Sequence, residues 1–245
     1  MLKADYSDIQ KIEADLLDFR ILFAYHSNKI ENSEITYNDT REVFENGKVT
    51  SFNGDPRTLF EIQNQKNCYH FLLEKVASKQ MLDLSLIKHI HKLLTEGTYD
   101  ETKYAKGERP GEFKKGDYIV GASEIGSEAE NVENELIDLL DEINEADSED
   151  LLTVVSYFHL RFEAIHPFAD GNGRVGRTLL NYYLMIHGIR PLIIYEEDKM
   201  RYYYCLHRYD QNEDIEPMKR FIEYSQKKTW SKKHHTHAKT LISFL

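Results

Sequence analysis

Residues 152–186 read LTVVSYFHLRFEAIHPFADGNGRVGRTLLNYYLMI. Two apolar stretches flank a turn rich in glycine and charge. In the first stretch, Leu152, Val155, Phe158, Phe162 and Ile165 recur every three or four residues, the spacing that lines one face of a helix. Pro167 interrupts that helix, and Gly171, Asn172 and Gly173 let the backbone turn tightly and come close to a ligand. Beyond the turn, residues 179–186 are apolar or aromatic nearly all round, which predicts a central, buried helix.

Outside this pair the same periodicity recurs. Ile9, Ile12, Leu16, Phe19 and Phe23 predict one helix from Ser7 to about Tyr25, with Ser7 as its N-cap. Leu59, Ile62, Tyr69, Leu72 and Val76 predict another, as do Leu84, Ile87, Ile90, Leu93 and Leu94. Val132, Leu136, Leu139, Leu140 and Ile143 form an apolar stripe flanked by Glu and Asp. One segment differs: residues 117–123, DYIVGAS, favour extended structure between Gly116 and Gly126 and predict a small hairpin or flap. No repeat of fixed period and no Ser/Gly-rich linker divides the chain. The expected fold is all-α, a helical bundle with a small β-hairpin flap.

Composition sets the outer bounds. The 245 residues are 41% hydrophobic and 30% charged, which fits a soluble globular protein and excludes wholesale disorder. A formal net charge of -11 repels phosphate backbones and anionic lipid, so neither nucleic acid nor a membrane is an expected partner. No apolar run approaches the roughly 20 residues of a spanning helix, and the N-terminus lacks the apolar stretch of a secretory signal. A cytoplasmic address is expected. Cys68 and Cys205 form no metal-binding or disulfide pattern and read as small core residues. The basic end of the chain, with His234, His235 and His237, reads as a solvated terminal helix or tail; metal capture by these histidines is the weaker alternative, because adjacent histidines on a helix do not share a face.

The chemistry is concentrated in residues 165–177. The first N–H groups of the helix after the turn lack internal partners and carry the positive end of its dipole, which suits an anion. Arg174 and Arg177, three residues apart, sit on neighbouring positions of one helical face and could grip successive phosphate oxygens. Asp170 beside them suits a hard divalent cation bridging phosphates, hence Mg²⁺ with a di- or triphosphate. His166 is the group whose ordinary pKa suits it to accept a proton near neutrality, and with no nucleophilic Ser or Cys in the span, its partner would be an incoming hydroxyl. Two rivals fare worse. Residues 171–176 satisfy GxGxxG, with Glu196 near where a ribose-binding acid would be sought, but a dinucleotide turn follows a buried strand and here a helix precedes it. No P-loop pattern occurs.

These residues resemble the Fic family, whose signature HPFx[DE]GNGRxxR is matched by residues 166–177 at every specified position. The likeness extends upstream through His159 and Phe162, downstream to RYYYCL around Tyr203, and more weakly over most of residues 59–224. The resemblance implies the Fic fold and transfer of AMP from ATP to a protein hydroxyl, with Mg²⁺ as cofactor and pyrophosphate leaving. His166 would be the base, Asp170 the magnesium ligand, Gly171, Asn172 and Gly173 the anion-binding nest, Arg174 the contact to the outer phosphates and Arg177 the contact to the γ-phosphate. Tyr203 would help enclose the adenine. The flap residues Asp117, Tyr118, Ile119, Val120 and Gly121 would dock the target by strand addition. The phosphorylating branch, the death-on-curing toxins, lacks the full Gly-Asn-Gly-Arg element that this chain retains.

A second family element lies upstream. Residues 27–32, SNKIEN, match the inhibitory pattern [ST]xxxE[GN], with Ser27 and Glu31 on one helical face. By resemblance, Glu31 pairs with Arg177 where the γ-phosphate would otherwise sit, making this an autoinhibited protein adenylyltransferase. The expected organisation is residues 1–55 as an N-terminal helical segment carrying that motif, 56–225 as the catalytic core, and 226–245 as a basic tail or helix. Substrates would include protein Ser, Thr or Tyr hydroxyls and the chain itself. A nucleotide-responsive binding module without transferase activity, and removal of AMP with Glu31 positioning a water, stay open, as does assembly into homo-oligomers.

Overall fold

The structure, a computed structural model, describes residues 1–120, 124–146 and 150–242, with side chains described outside 119–125 and 232–242. The described residues contain eleven α-helices, a short 3-10 helix (Glu196–Asp198) and one antiparallel strand pair. The centre is a helical pair, α8 (Leu151–Ile165) and α9 (Asn172–Ile186), joined by the turn quoted above. Asp150 caps α8 by accepting the Thr153 N–H. α9 is buried on every side, as its lack of a polar face requires.

Around this pair lie α4 (Pro56–Ala77), α5 (Leu84–Thr95) and α7 (Val132–Glu145), then α10 (Lys199–Asn212) and α11 (Glu216–Ile242). Asp55 and Asp83 cap α4 and α5, and Pro56 opens α4, where its missing N–H is harmless. A short α6 (Glu101–Ala105) begins the glycine-rich connection, in which β1 (Ile119–Val120) pairs with β2 (Glu124–Ile125). Gly121, the last of the expected flap residues, lies outside the described residues.

Two points depart from the spacing-based expectation. Residues 9–31 form two helices, α1 (Ile9–Leu16) and α2 (Phe19–Glu31), where one ending near Tyr25 is expected. The break at Leu17 and Asp18 leaves Leu17 exposed while Leu16 and Phe19 both enter the core, and Phe19 stacks on Trp230. The cap of α1 is Asp8, accepting the Lys11 N–H at 3.0 Å, one residue later than the expected Ser7. The spacing also misses α3 (Tyr37–Asn46), a mostly polar helix bounded by Thr36 as N-cap and Gly47 in the left-handed conformation.

The hydrophobic core runs unbroken from Tyr6 to Trp230, so the N-terminal helices, the central pair and the start of α11 share one interior. The N-terminus is tied down by hydrogen bonds between Ala4 N–H and Gly188 O and between Arg190 N–H and Leu2 O, both 2.8 Å. Cys68 and Cys205 are buried free thiols. Among the described residues no helix is long and apolar enough to cross a membrane.

Candidate active site

The α8–α9 turn is built by its own side chains. His166 ends α8 as a left-handed C-cap, φ 50°, its N–H donating to Phe162 O at 3.1 Å, and Pro167, which has no N–H, cannot continue the helix. Gly171, φ 81°, opens α9 in a conformation that favours glycine. Asn172 clips the loop shut: its Oδ1 accepts the Phe168 N–H at 2.9 Å and its Nδ2 donates to Phe168 O at 2.7 Å. His91 braces it from α5, its ring stacked 3.7 Å from Phe168. The Gly111 N–H donates to His91 Nδ1 at 2.8 Å, so the proton resides on Nε2, which donates to Asp170 O at 3.0 Å. Burial pushes this imidazole down to about 3, which keeps it neutral for that task.

His166 is packed from behind by the strand that leaves β2. A Cβ on Gly126 would lie 2.6 Å from His166 Cβ and 2.9 Å from Ile165 O, and Ser127 N–H donates to Ile165 O at 3.1 Å. Burial first, and the Lys114 ammonium second, lower the His166 pKa to about 4, against the pull of Glu31 and Asp170. The imidazole is therefore neutral at pH 7 and free to accept a proton. Its Nδ1 is buried without a hydrogen-bond partner.

Asp170 is surrounded by cations. Its carboxylate meets Arg57 Nη2 at 3.0 Å, Lys103 Nζ at 3.4 Å and Arg174 Nη2 at 3.6 Å. Burial would raise its pKa, but Arg174, Lys103 and Arg57 together hold it below the usual carboxylate value. Arg174 is itself buried and also meets Glu61 Oε1 and Leu94 O, each at 3.5 Å.

Arg177 belongs to a different set. Its Nε donates to Ser27 Oγ at 3.1 Å, and its Nη2 donates to Ser27 O at 2.8 Å and to Glu31 Oε1 at 2.9 Å. Ser27 and Glu31, one turn apart on α2, thus hold one guanidinium from two sides. Burial alone would lower the arginine pKa, and Glu31, Tyr202 and Glu163 together outweigh it. The pair lies so near α9 that a Cβ at Gly173 would stand 2.5 Å from Glu31 Oε1 and 2.8 Å from Arg177 Nη1.

Two clefts meet at this point. One, of about 780 Å³, is lined by His166, Gly173, Arg177, Glu163, Tyr203 and Glu31 among others. The second, of about 600 Å³, is lined by His166, Asp170, Gly171, Asn172, Gly173 and Arg174, again with Glu31. Arg174 and Arg177, expected to face one ligand from one helical face, instead line separate clefts, and Glu31 stands on the boundary. Tyr203 is partly exposed in the first cleft. Asp117 and Tyr118 line neither: Asp117 Oδ1 accepts the Ala129 N–H at 2.8 Å and Tyr118 Oη donates to Glu108 at 2.7 Å.

Sequence reading misses several contributors. Glu61, Arg57 and Lys103 read as charges of solvated helix faces, yet all three converge on Arg174 or Asp170. Glu163 does carry a signal, a lone carboxylate on the apolar stripe of α8. It is largely shielded beside Gly176, its side chain 10% exposed, and accepts the Tyr202 hydroxyl at 3.2 Å; desolvation raises its pKa to about 7, against the pull of Arg177.

Comparison with known proteins agrees with this geometry. The Fic/DOC family model matches residues 81–184, which include the whole turn. The protein adenylyltransferase fic-1 of Caenorhabditis briggsae is 28% identical over 205 residues, 82% of this chain and 38% of that protein, so the chain spans about two fifths of such a relative's length. A crystal structure of a Fic domain containing signaling protein from Bacteroides thetaiotaomicron superposes with a TM-score of 0.71 at 26% identity, covering 86% of this chain and 78% of that one. Fic-1 (residues 134–508) from C. elegans shares the fold, with a TM-score of 0.77 at 23% identity over 91% of this chain and 64% of the other. The His-Pro-Phe turn and its Gly-Asn-Gly cradle lie within the stretch that matches the Fic/DOC family model, and the chain is similar to these proteins in sequence and in fold.

Proposed function

We propose that the chain is a protein adenylyltransferase that moves AMP from ATP to a Ser, Thr or Tyr hydroxyl, and that Glu31 holds it inactive. The observation that carries this is the meeting of His166, the α9 N-terminus and Asp170 in one cleft. A hydroxyl oxygen attacks the α-phosphorus, and the bond from that phosphorus to the oxygen of the β-phosphate breaks. Pyrophosphate leaves with the electron pair, and the hydroxyl proton passes to His166 Nε2. The amides at the mouth of α9 and the guanidinium of Arg174 are fixed beforehand, so stabilising the phosphate charge requires little rearrangement.

Asp170 suits Mg²⁺. Among the described residues no group of three or more ligating side chains occurs, as fits an ion that takes most of its oxygens from phosphates and water. Asp170, with Arg57, Lys103 and Arg174 displaced from its oxygens, would hold the ion. When bound, Mg²⁺ neutralises phosphate charge. The first cleft, with Tyr203, takes the adenosine, and Arg177 takes the γ-phosphate once Glu31 has withdrawn. The flap, joined to the His166 turn through Gly126, presents the target strand. The reading includes self-modification and a cytoplasmic address.

Glu31→Gly tests the whole of it. Incubated with ATP and magnesium, the variant should gain one or more AMP masses at a rate at least tenfold above the unsubstituted chain, by the loss of a charge-assisted contact. Glu31→Gly with His166→Ala should gain none. Intact mass spectrometry reads both. Equal rates with and without Glu31 would remove autoinhibition, and tight ATP binding with no adduct on any protein would favour the binding module.

A further inference from the structure

The carboxylate of Glu61 on α4 is almost wholly buried, with its side chain 5% exposed, and groups from different elements share it. Asn32, which ends α2, donates Nδ2 to Oε2 at 2.9 Å. Arg57 donates Nε to Oε1 at 3.1 Å, and Arg174 Nη1 lies 3.5 Å from the same oxygen. The backbone carbonyl of Glu61 also accepts Asn28 Nδ2 at 3.2 Å. One residue therefore joins the last turn of α2, which carries Glu31, to the arginine at the mouth of α9. A buried acid that merely balanced Arg57 and Arg174 would need no contact with Asn32.

We infer that Glu61 is a positioning residue that clamps the end of α2 and thereby sets how firmly Glu31 holds Arg177. The inference rests on the reading of Glu31 as a block. Arg177 itself cannot supply this grip during turnover, since its contacts with Ser27 and Glu31 are the ones a nucleotide displaces. The Asn32–Glu61 bond involves neither Arg177 nor Glu31 and is not among the contacts exchanged. Phosphate oxygens entering the second cleft compete with Glu61 for Arg174, and by linkage an occupied cleft and a clamped α2 oppose each other to the same degree.

Asn32→Ala cuts the clamp from the helix side and leaves Arg174 its carboxylate, while Glu61→Gln weakens it from the α4 side. In the full chain with ATP and magnesium, each should raise the rate of AMP self-adduct formation about tenfold, the value of a buried hydrogen bond to a charged group. The double variant should exceed the more active single variant by little, because both changes break one link. In the Glu31→Gly background Asn32→Ala should raise nothing further, and Glu61→Gln should instead raise the KM for ATP. A purely structural role would lower the rate in both backgrounds. A lower or unchanged rate for Asn32→Ala, in a chain whose Glu31→Gly form is active, overturns the inference.

Hydrogen exchange of the nucleotide-free chain gives a reading that needs no activity. Amides of residues 29–33 should exchange about tenfold faster in both variants, with those of α9 unchanged. Unaltered exchange at 29–33 sinks the clamp. Should Glu31→Gly form no adduct at all, it is the proposed function that fails, and exchange alone decides whether Glu61 holds the helix.

Discussion

His166 joins conformation and chemistry in one residue. The left-handed backbone at this helix C-cap carries the residue off the axis of α8 to the boundary of the two clefts, where burial and Lys114 keep the imidazole neutral. A depressed imidazole pKa means that the base form persists as pH falls, down to the folded value. The acidic limb of kcat/KM for the Glu31→Gly variant should therefore lie below pH 6.5, the ordinary imidazole value. Removing the Glu31 carboxylate lowers it further, because that charge favours the imidazolium. A limb at or above 6.5 would mean that the ring titrates as an exposed histidine. This residue is legible from the sequence, since the types flanking it leave few other tasks for it. Glu61, Arg57 and Lys103 are not, because a charged side chain on a helix reads the same whether it meets water or a partner from a distant element.

Helices α8, α9 and α2 bring the clefts together, and the segment running from β2 into α7 supports them from behind. The central pair follows directly from the spacing of Leu152 to Ile165 and the unbroken apolar run after Arg177. The boundary between α1 and α2 does not, because Ile9 to Phe23 fit one helical phase, and tertiary packing of Leu16 and Phe19 decides where the chain bends. The support from Gly126 is equally hidden, since a glycine bounding a strand reads as a turn. Two of the contacts awaiting a Cβ there are His166 Cβ and the backbone oxygen of Ile165, and a backbone atom cannot yield cheaply. Gly126→Ala should push the end of α8 and lower kcat about tenfold or more in the Glu31→Gly background, as a base displaced by a fraction of an ångström does. The KM for ATP should change little, because the α9 mouth is held separately by Asn172 and His91. A KM effect without a kcat effect would separate Gly126 from the base.

At the scale of the whole molecule, a chain of net charge -11 gathers Arg57, Lys103, Arg174 and Arg177 around two adjoining clefts. Overall charge argues against nucleic acid as a general ligand, yet it says nothing of this local excess, which arises only when α4, α6 and α9 fold together. The shared core from Tyr6 to Trp230 makes α2, which carries Glu31, part of the same body as the clefts. The proposed release of Glu31 would then be a local shift of α2 against α4 and α9. In the proposed reaction the cleft beside His166 breaks ATP at the α-phosphorus. Incubating the Glu31→Gly chain in parallel with α-labelled and γ-labelled ATP, followed by counting label retained on the protein, measures this directly. Label retained from the α position alone is the predicted result; label retained from the γ position would contradict it.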